Sequence, residues 1–213
     1  MSNDHSINDL LSLFELDEYV AFDLETTGLD SANDRITEIS ACRFVNGEFS
    51  EEFSTLINPG IPIPKHIISL TGITNNMVKD APVISDVLPD FINFLGTTPL
   101  VGHNVNFDYS FISQNISLTD LSLPDSSLYD TLGLSRSFIY FHNSFSLGSI
   151  CDYYGIKIEN AHRAGADALG TGKVFLSLIQ EVASRPLTLI QRIENLTGSS
   201  QSYNHKLFSD IIK

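Results

Sequence analysis

Nothing in the 213 residues approaches the ~18 consecutive apolar positions of a membrane-spanning helix, so the chain is expected to cross no bilayer. Cysteine is nearly absent. Cys42 and Cys151 are too few for a disulfide framework or a zinc cluster, and both are expected as small core residues in a reducing cytoplasm. The start, Met1-Ser2-Asn3-Asp4, lacks the basic opening and apolar stretch of a secretory signal. There is no internal repeat. Basic residues are scarce: 12 Lys and Arg stand against 26 Asp and Glu, a net charge of −14. A chain that grips nucleic acid through many phosphates carries a basic face. Here any nucleic acid would be held locally and weakly, or delivered by a partner; the plainer reading of so acidic a surface is solubility.

What is present can fold. At 42% hydrophobic the chain can bury one full core, and its length favours a single domain with short extensions. Residues 1–18 are polar apart from Leu10-Leu11-Ser12-Leu13-Phe14 and read as a short helix or a mobile arm. Residues 19–24 read as a buried strand. Segments 35–45 and 48–57, split by Asn46-Gly47, form a β-hairpin signal. After a proline-rich loop at 59–64, helical pieces are expected at 65–70 and 74–78, the second capped by Thr74. Val87, Leu88, Phe91, Ile92 and Leu95 repeat with helical spacing up to Gly96, and Pro89 is expected near the first turn, since deeper inside it would kink the helix. A short strand at 99–102 precedes a helix at 105–115. Residues 128–137 start as a strand and turn helical, and 146–154 is a helix ended by Gly155. A long helix spans about 164–184, and another, 187–196, precedes a Ser/Gly/Asn-rich tail. A hairpin followed by strands alternating with helices gives an α/β fold, a mixed sheet flanked by helices.

Three segments carry chemistry. In Asp23-Leu24-Glu25-Thr26-Thr27-Gly28, strand alternation points Asp23 and Glu25 to one face. Two such close acids repel and lose hydration, so one takes a proton or a cation binds between them, and oxygen ligands suit magnesium or manganese. A strand-end turn with two solvated acids is the bland reading. In Gly102-His103-Asn104-Val105-Asn106-Phe107-Asp108, Asp108 falls in a first helical turn near the strand ends, where ligands bind in open α/β sheets. It could equally complement the helix dipole there. His103 is the weaker candidate, and could simply be a satisfied loop residue. In His162-Arg163-Ala164-Gly165-Ala166-Asp167, the five-residue spacing would turn about 500° on a helix, leaving the two side chains ~140° apart. That excludes a zinc pair of the kind set four residues apart on one helix face. It fits a helix-borne Asp167 as metal ligand and a loop-borne His162 as general base. Ala164, Gly165, Ala166, Ala168 and Gly170 let this helix pack closely on the sheet.

Together these segments resemble the DEDDh (DnaQ-like) 3′→5′ exonucleases of the RNase H-like fold, the family of the epsilon proofreading subunit of bacterial DNA polymerase III. Leu70-Thr71-Gly72-Ile73-Thr74 also resembles the family's segment after the hairpin. The resemblance covers about residues 19–183, leaving 1–18 as an N-terminal extension and 184–213 as a C-terminal helix and tail. It implies that Asp23, Glu25, Asp108 and Asp167 hold two divalent cations, Mg²⁺ or Mn²⁺, and that His162 takes a proton from water. It further implies that Thr26, Thr27, Leu29, His103, Asn104 and Phe107 line the place of a single-stranded 3′ end. All five catalytic positions are filled. Residues 138–145 are aromatic-rich where the family often carries basic residues. DNA is favoured as substrate by the Glu-Thr-Thr-Gly resemblance, with an RNA-trimming exoribonuclease as the alternative and a replicative polymerase as an implied partner. An aspartyl-nucleophile phosphatase would want Asp at Glu25 and leave His162 and Asp167 unused. A non-catalytic binding module would not need the acids. Leu10-Leu11-Ser12-Leu13-Phe14 also resembles a sliding-clamp docking peptide with Leu10 in place of the leading Gln; the competing reading packs it against its own domain.

Overall fold

The computed structural model describes residues 6–140, 142–159, 161–197 and 203–212. Residues 1–4 of the polar start, Phe141 of the aromatic stretch and 198–202 of the expected tail lie outside them. Helix α1 (Ile7–Leu13) opens the chain on a capping box, in which the Asp9 amide donates to Ser6 Oγ at 3.2 Å and the Ser6 amide to Asp9 Oδ2 at 3.0 Å. Strands β1 (Glu18–Thr26), β2 (Ile36–Val45) and β3 (Glu48–Leu56) follow. The β2–β3 turn is the expected one: Asn46 (φ 51°) and Gly47 (φ 79°) both adopt the left-handed conformation that a tight hairpin requires.

Helices α2 (Lys65–Thr71), α3 (Asn75–Val78) and α4 (Ile84–Leu95) come next. Thr74 caps α3 through the Met77 amide, as expected. Pro89, expected near the first turn, lies inside α4 in its second turn. Strand β4 (Leu100–Gly102), helix α5 (Val105–Ile116), strand β5 (Leu128–Asp130) and helices α6 (Thr131–Phe138), α7 (Leu147–Tyr154), α8 (Ala164–Ala183), α9 (Leu187–Thr197) and α10 (His205–Ile212) complete the chain. The last helix lies within the segment read from the sequence as a Ser/Gly/Asn-rich tail.

The five-stranded sheet has the order β3-β2-β1-β4-β5, antiparallel across β1–β2 and β2–β3 and parallel across β1–β4 and β4–β5. This is the expected RNase H-like arrangement, hairpin first and parallel strands after. Alternation along β1 sorts its side chains onto two cores. Val20, Phe22 and Leu24 pack with Phe91, Phe111 and Ile112 of α4 and α5. Tyr19 and Ala21 face α8 and pack with Phe175 and Leu178. Asp23 and Glu25 continue that second row, at the end where the helix begins.

Helix α8 lies close because a Cβ at Gly172 would fall on the Phe44 ring, and the Tyr19 hydroxyl donates to the Gly172 carbonyl at 3.0 Å. Both thiols are buried, as expected of core residues. The chain ends join the same core: Leu10, Leu11, Phe14, Ile190, Leu207 and Phe208 all lie in the cluster built on α8. The packing reading of the N-terminal segment therefore holds. Only Leu13 of its large side chains is well exposed, at 63%, and a docked peptide would have to tear Leu11 and Phe14 from the core. Among the described residues no helix is long and apolar enough to cross a membrane.

Candidate active site

The site forms where β1 runs past its parallel neighbour. β4 pairs only with Val20 and Ala21, so β1 continues beyond it without a strand on that side. Asp108, in the first turn of α5, fills the gap: its Oδ1 accepts the Leu24 amide at 3.0 Å, and the residue is buried. Opposite, Asp167 projects from the first turn of α8. One carboxylate oxygen each from Asp23, Glu25 and Asp167 lies within 4.8 Å of the others. Asp108 stands outside that trio, yet of the neighbouring charges it acts most strongly on Asp23.

Burial comes first in the electrostatics of this cluster. It raises Asp23 well above the usual carboxylate range, and the charges of Asp108, Glu25 and Asp167 raise it further. Burial, then Asp167, pushes Glu25 up to about 8. Burial pushes Asp108 up to about 8 against the opposing Leu24 hydrogen bond. Asp167 is also raised by burial, offset by the bond from the His162 amide. An all-oxygen donor set that cannot hold its negative charge alone suits a hard divalent cation, which would relieve both the burial and the repulsion. The residues fit the group.

His162 precedes α8 on an exposed loop, as its spacing from Asp167 requires. Its backbone is left-handed, φ 66°, and its amide donates to Asp167 Oδ2 at 3.1 Å. The other expected residues divide. Leu29 is 85% exposed, Asn104 is exposed, and Phe107 is half-buried with its ring 5.1 Å from that of Phe111. Thr26 and Thr27 are buried and their hydroxyls serve the turn itself: Thr26 donates to the Gly28 carbonyl at 2.5 Å, and Thr27 donates to Asp34 Oδ1 at 3.1 Å. His103 makes the contacts of a satisfied loop residue, the plainer of its two readings. Its Nε2 lies 2.9 Å from the Phe145 carbonyl, which can only accept, and its Nδ1 lies 2.9 Å from the Thr131 hydroxyl. Burial lowers its pKa. With both nitrogens engaged, His103 braces the loop of the aromatic stretch.

Two groups at the site were not legible in the sequence. Asp130, at the end of β5, accepts the Asn104, Val105 and Leu132 amides on Oδ1 at 2.8, 3.3 and 3.2 Å and the Gly133 amide on Oδ2 at 3.1 Å. It thus caps both its own helix α6 and α5, whose N-cap Asn104 makes no side-chain cap of its own. A strand-end Asp followed by Thr131 is the usual signal for the first role, but none exists for the second. Glu38, opposite Glu25 in the β1–β2 register, is a buried fifth carboxylate held by Arg163.

Residues 20–175 match the exonuclease family model of the RNase T type. Two relatives are bacterial DNA polymerases III of the PolC type. That of Caldanaerobacter subterraneus subsp. tengcongensis is 37% identical over 84% of this chain and 13% of its own. That of Clostridium perfringens is 42% identical over 75% of this chain and 11% of its own. The chain therefore spans only about an eighth of the length of the relatives it matches. Among solved structures, E. coli exonuclease I in complex with a dT13 oligonucleotide shares the fold at a TM-score of 0.67 and 22% identity, covering 90% of this chain and 45% of that one. The nuclease domain of 3′hExo, described as a DEDDh family member bound to rAMP, does so at 0.62 and 20%, covering 78% and 92%.

Proposed function

Because the chain belongs to the RNase T exonuclease family, we propose that it removes nucleotides one at a time from the 3′ end of single-stranded DNA, in proofreading or repair. The observation that carries this reading is the meeting of Asp23, Glu25 and Asp167 beside the buried Asp108. These four would hold two divalent cations, Mg²⁺ or Mn²⁺, which when bound supply Lewis-acid activation of water and stabilise charge on the departing 3′ oxygen. His162, on its exposed loop, accepts the proton of the attacking water at an imidazole nitrogen. Water adds to phosphorus, the bond to the 3′ oxygen breaks, and a nucleoside 5′-monophosphate leaves. Leu29, well exposed, and the half-buried Phe107 would flank the terminal base.

The names of the relatives favour DNA and a place beside a replicative polymerase, in the cytoplasm. An acidic chain that holds DNA weakly would profit from delivery by such a partner. The rAMP bound to 3′hExo keeps RNA as the second reading. Matched 3′-labelled DNA and RNA oligomers, each with Mg²⁺ and with Mn²⁺, decide between them. Faster loss of label from DNA supports the proposal, and faster loss from RNA replaces it with an exoribonuclease. No loss from either overturns both.

A further inference from the structure

We propose that Glu38 and Arg163 form a clamp that positions His162, an inference that rests on the general-base role assigned to that histidine above. Glu38 stands on β2 across from Glu25, only 3% exposed, and would pass for one more metal-binding acid. Its oxygens are committed elsewhere. Both accept from Arg163 Nε at 3.1 Å, Oε1 also takes Arg163 Nη2 at 2.5 Å, and Oε2 takes the Ala164 amide at 2.9 Å. Arg163 is the N-cap residue of α8 but makes no side-chain cap. Glu38 supplies that cap from the neighbouring strand, its charge complementing the positive end of a 20-residue helix.

The residue held by this arrangement is the one just before it. His162 sits at φ 66°, a conformation that residues with a side chain seldom adopt and that persists only when its surroundings over-determine it. On one side its own amide is tied to Asp167 Oδ2 at 3.1 Å. On the other, the next two residues are tied to Glu38. The backbone so pinned fixes the direction of the His162 Cα–Cβ bond, which carries the imidazole. Arg163 and Glu38 touch neither metal nor substrate in this account. They are positioning residues, and misplacement of a proton acceptor by about 1 Å can cost ~10²-fold in rate.

The test uses the full chain with Arg163→Ala, Arg163→Lys, Glu38→Gln, His162→Ala and the double variant His162→Ala/Arg163→Ala. Amide exchange by NMR reads the loop in metal-free protein, calorimetry reads Mn²⁺ binding, and kcat and KM are measured on a 3′-labelled DNA oligomer. In Arg163→Ala the His162 and Ala164 amides should exchange at least about tenfold faster. Its kcat should fall about 10²-fold with KM and Mn²⁺ affinity near the parent's, and Arg163→Lys should recover part of the loss. Since the clamp acts through His162, the double variant should be hardly slower than His162→Ala alone. Full kcat in Arg163→Ala, unchanged exchange, or penalties that add in the double variant overturn the clamp. Should Glu38→Gln fail to fold, Arg163→Ala still decides, because that side chain is 41% exposed. An inactive parent protein would sink the exonuclease reading instead, while the exchange rates would still report on the clamp.

Discussion

At Asp108 one carboxylate oxygen is committed to the Leu24 amide while burial pushes the group up to about 8. Glu25 is raised to about 8 from an ordinary value of 4.5. Between the unfolded and folded values the native protein keeps protons that the unfolded chain has released. Metal-free stability should therefore fall as the pH rises from about 4 to about 8. Saturating Mn²⁺, which binds the charged acids, should flatten that slope. Thermal melts across this window check both statements, and a metal-free melting point that climbs with pH contradicts them. Asp108→Asn keeps an acceptor for Leu24 and loses the charge. It should melt at least as high as the parent near pH 8 without metal, and have little nuclease activity with it. His162→Ala should lower kcat by about 10²–10⁴-fold while calorimetry finds metal binding near normal; loss of a bound ion would make it a ligand. The acid pair on β1 was legible because strand alternation alone puts Asp23 and Glu25 on one face. Glu38 was not, because one sequence gives no sign that it meets a residue 125 positions away.

The elements that frame this cluster include both chain ends. Leu10 and Leu11 lie on the buried side of α1, Phe14 follows just beyond it, and Leu13 points out, so of the short helix and the mobile arm that the sequence allowed, the helix forms. Leu11→Ala should destabilise the fold by about 2–5 kcal/mol in denaturant unfolding, as a fully buried leucine does; a cost below about 0.5 kcal/mol would mean that α1 is detached in solution. At the other end, Asn204 is buried, its Oδ1 accepting the Asp130 amide at 3.0 Å and its Nδ2 donating to the Asp130 carbonyl at 3.1 Å. Asn204→Ala should cost about 1–3 kcal/mol by stranding those groups, measured in the same unfolding experiment. Helix α10 escaped the sequence reading because the Ser- and Gly-rich run before it signals a tail, and its anchors Leu207 and Phe208 become telling only once the core they enter is known. The hairpin was plain from Asn46-Gly47, since both residues accept positive φ.

For the whole molecule, charge sets the manner of working. With a net charge of −14 few phosphates can be neutralised, so binding to free oligomers should show a shallow dependence on salt. Cutting should be distributive, with release after one or a few nucleotides. Long processive runs on isolated DNA would reveal a basic groove missing from this account. The fold class and the converging acids were legible at this scale because element order and three short segments determine them. The brace at His103 was not, since its partner Phe145 is brought close only by the tertiary structure. As proposed above, the carboxylate cluster drives metal-dependent removal of nucleotides from the 3′ end. A 5′-labelled DNA oligomer incubated with Mn²⁺ and resolved by length, for the parent and for Asp23→Asn, tests it most directly. The parent should give a ladder of labelled products shortening one nucleotide at a time, stopped by EDTA, and Asp23→Asn no ladder. Immediate release of the labelled 5′ nucleotide, internal cuts, or an undiminished ladder with Asp23→Asn would contradict it.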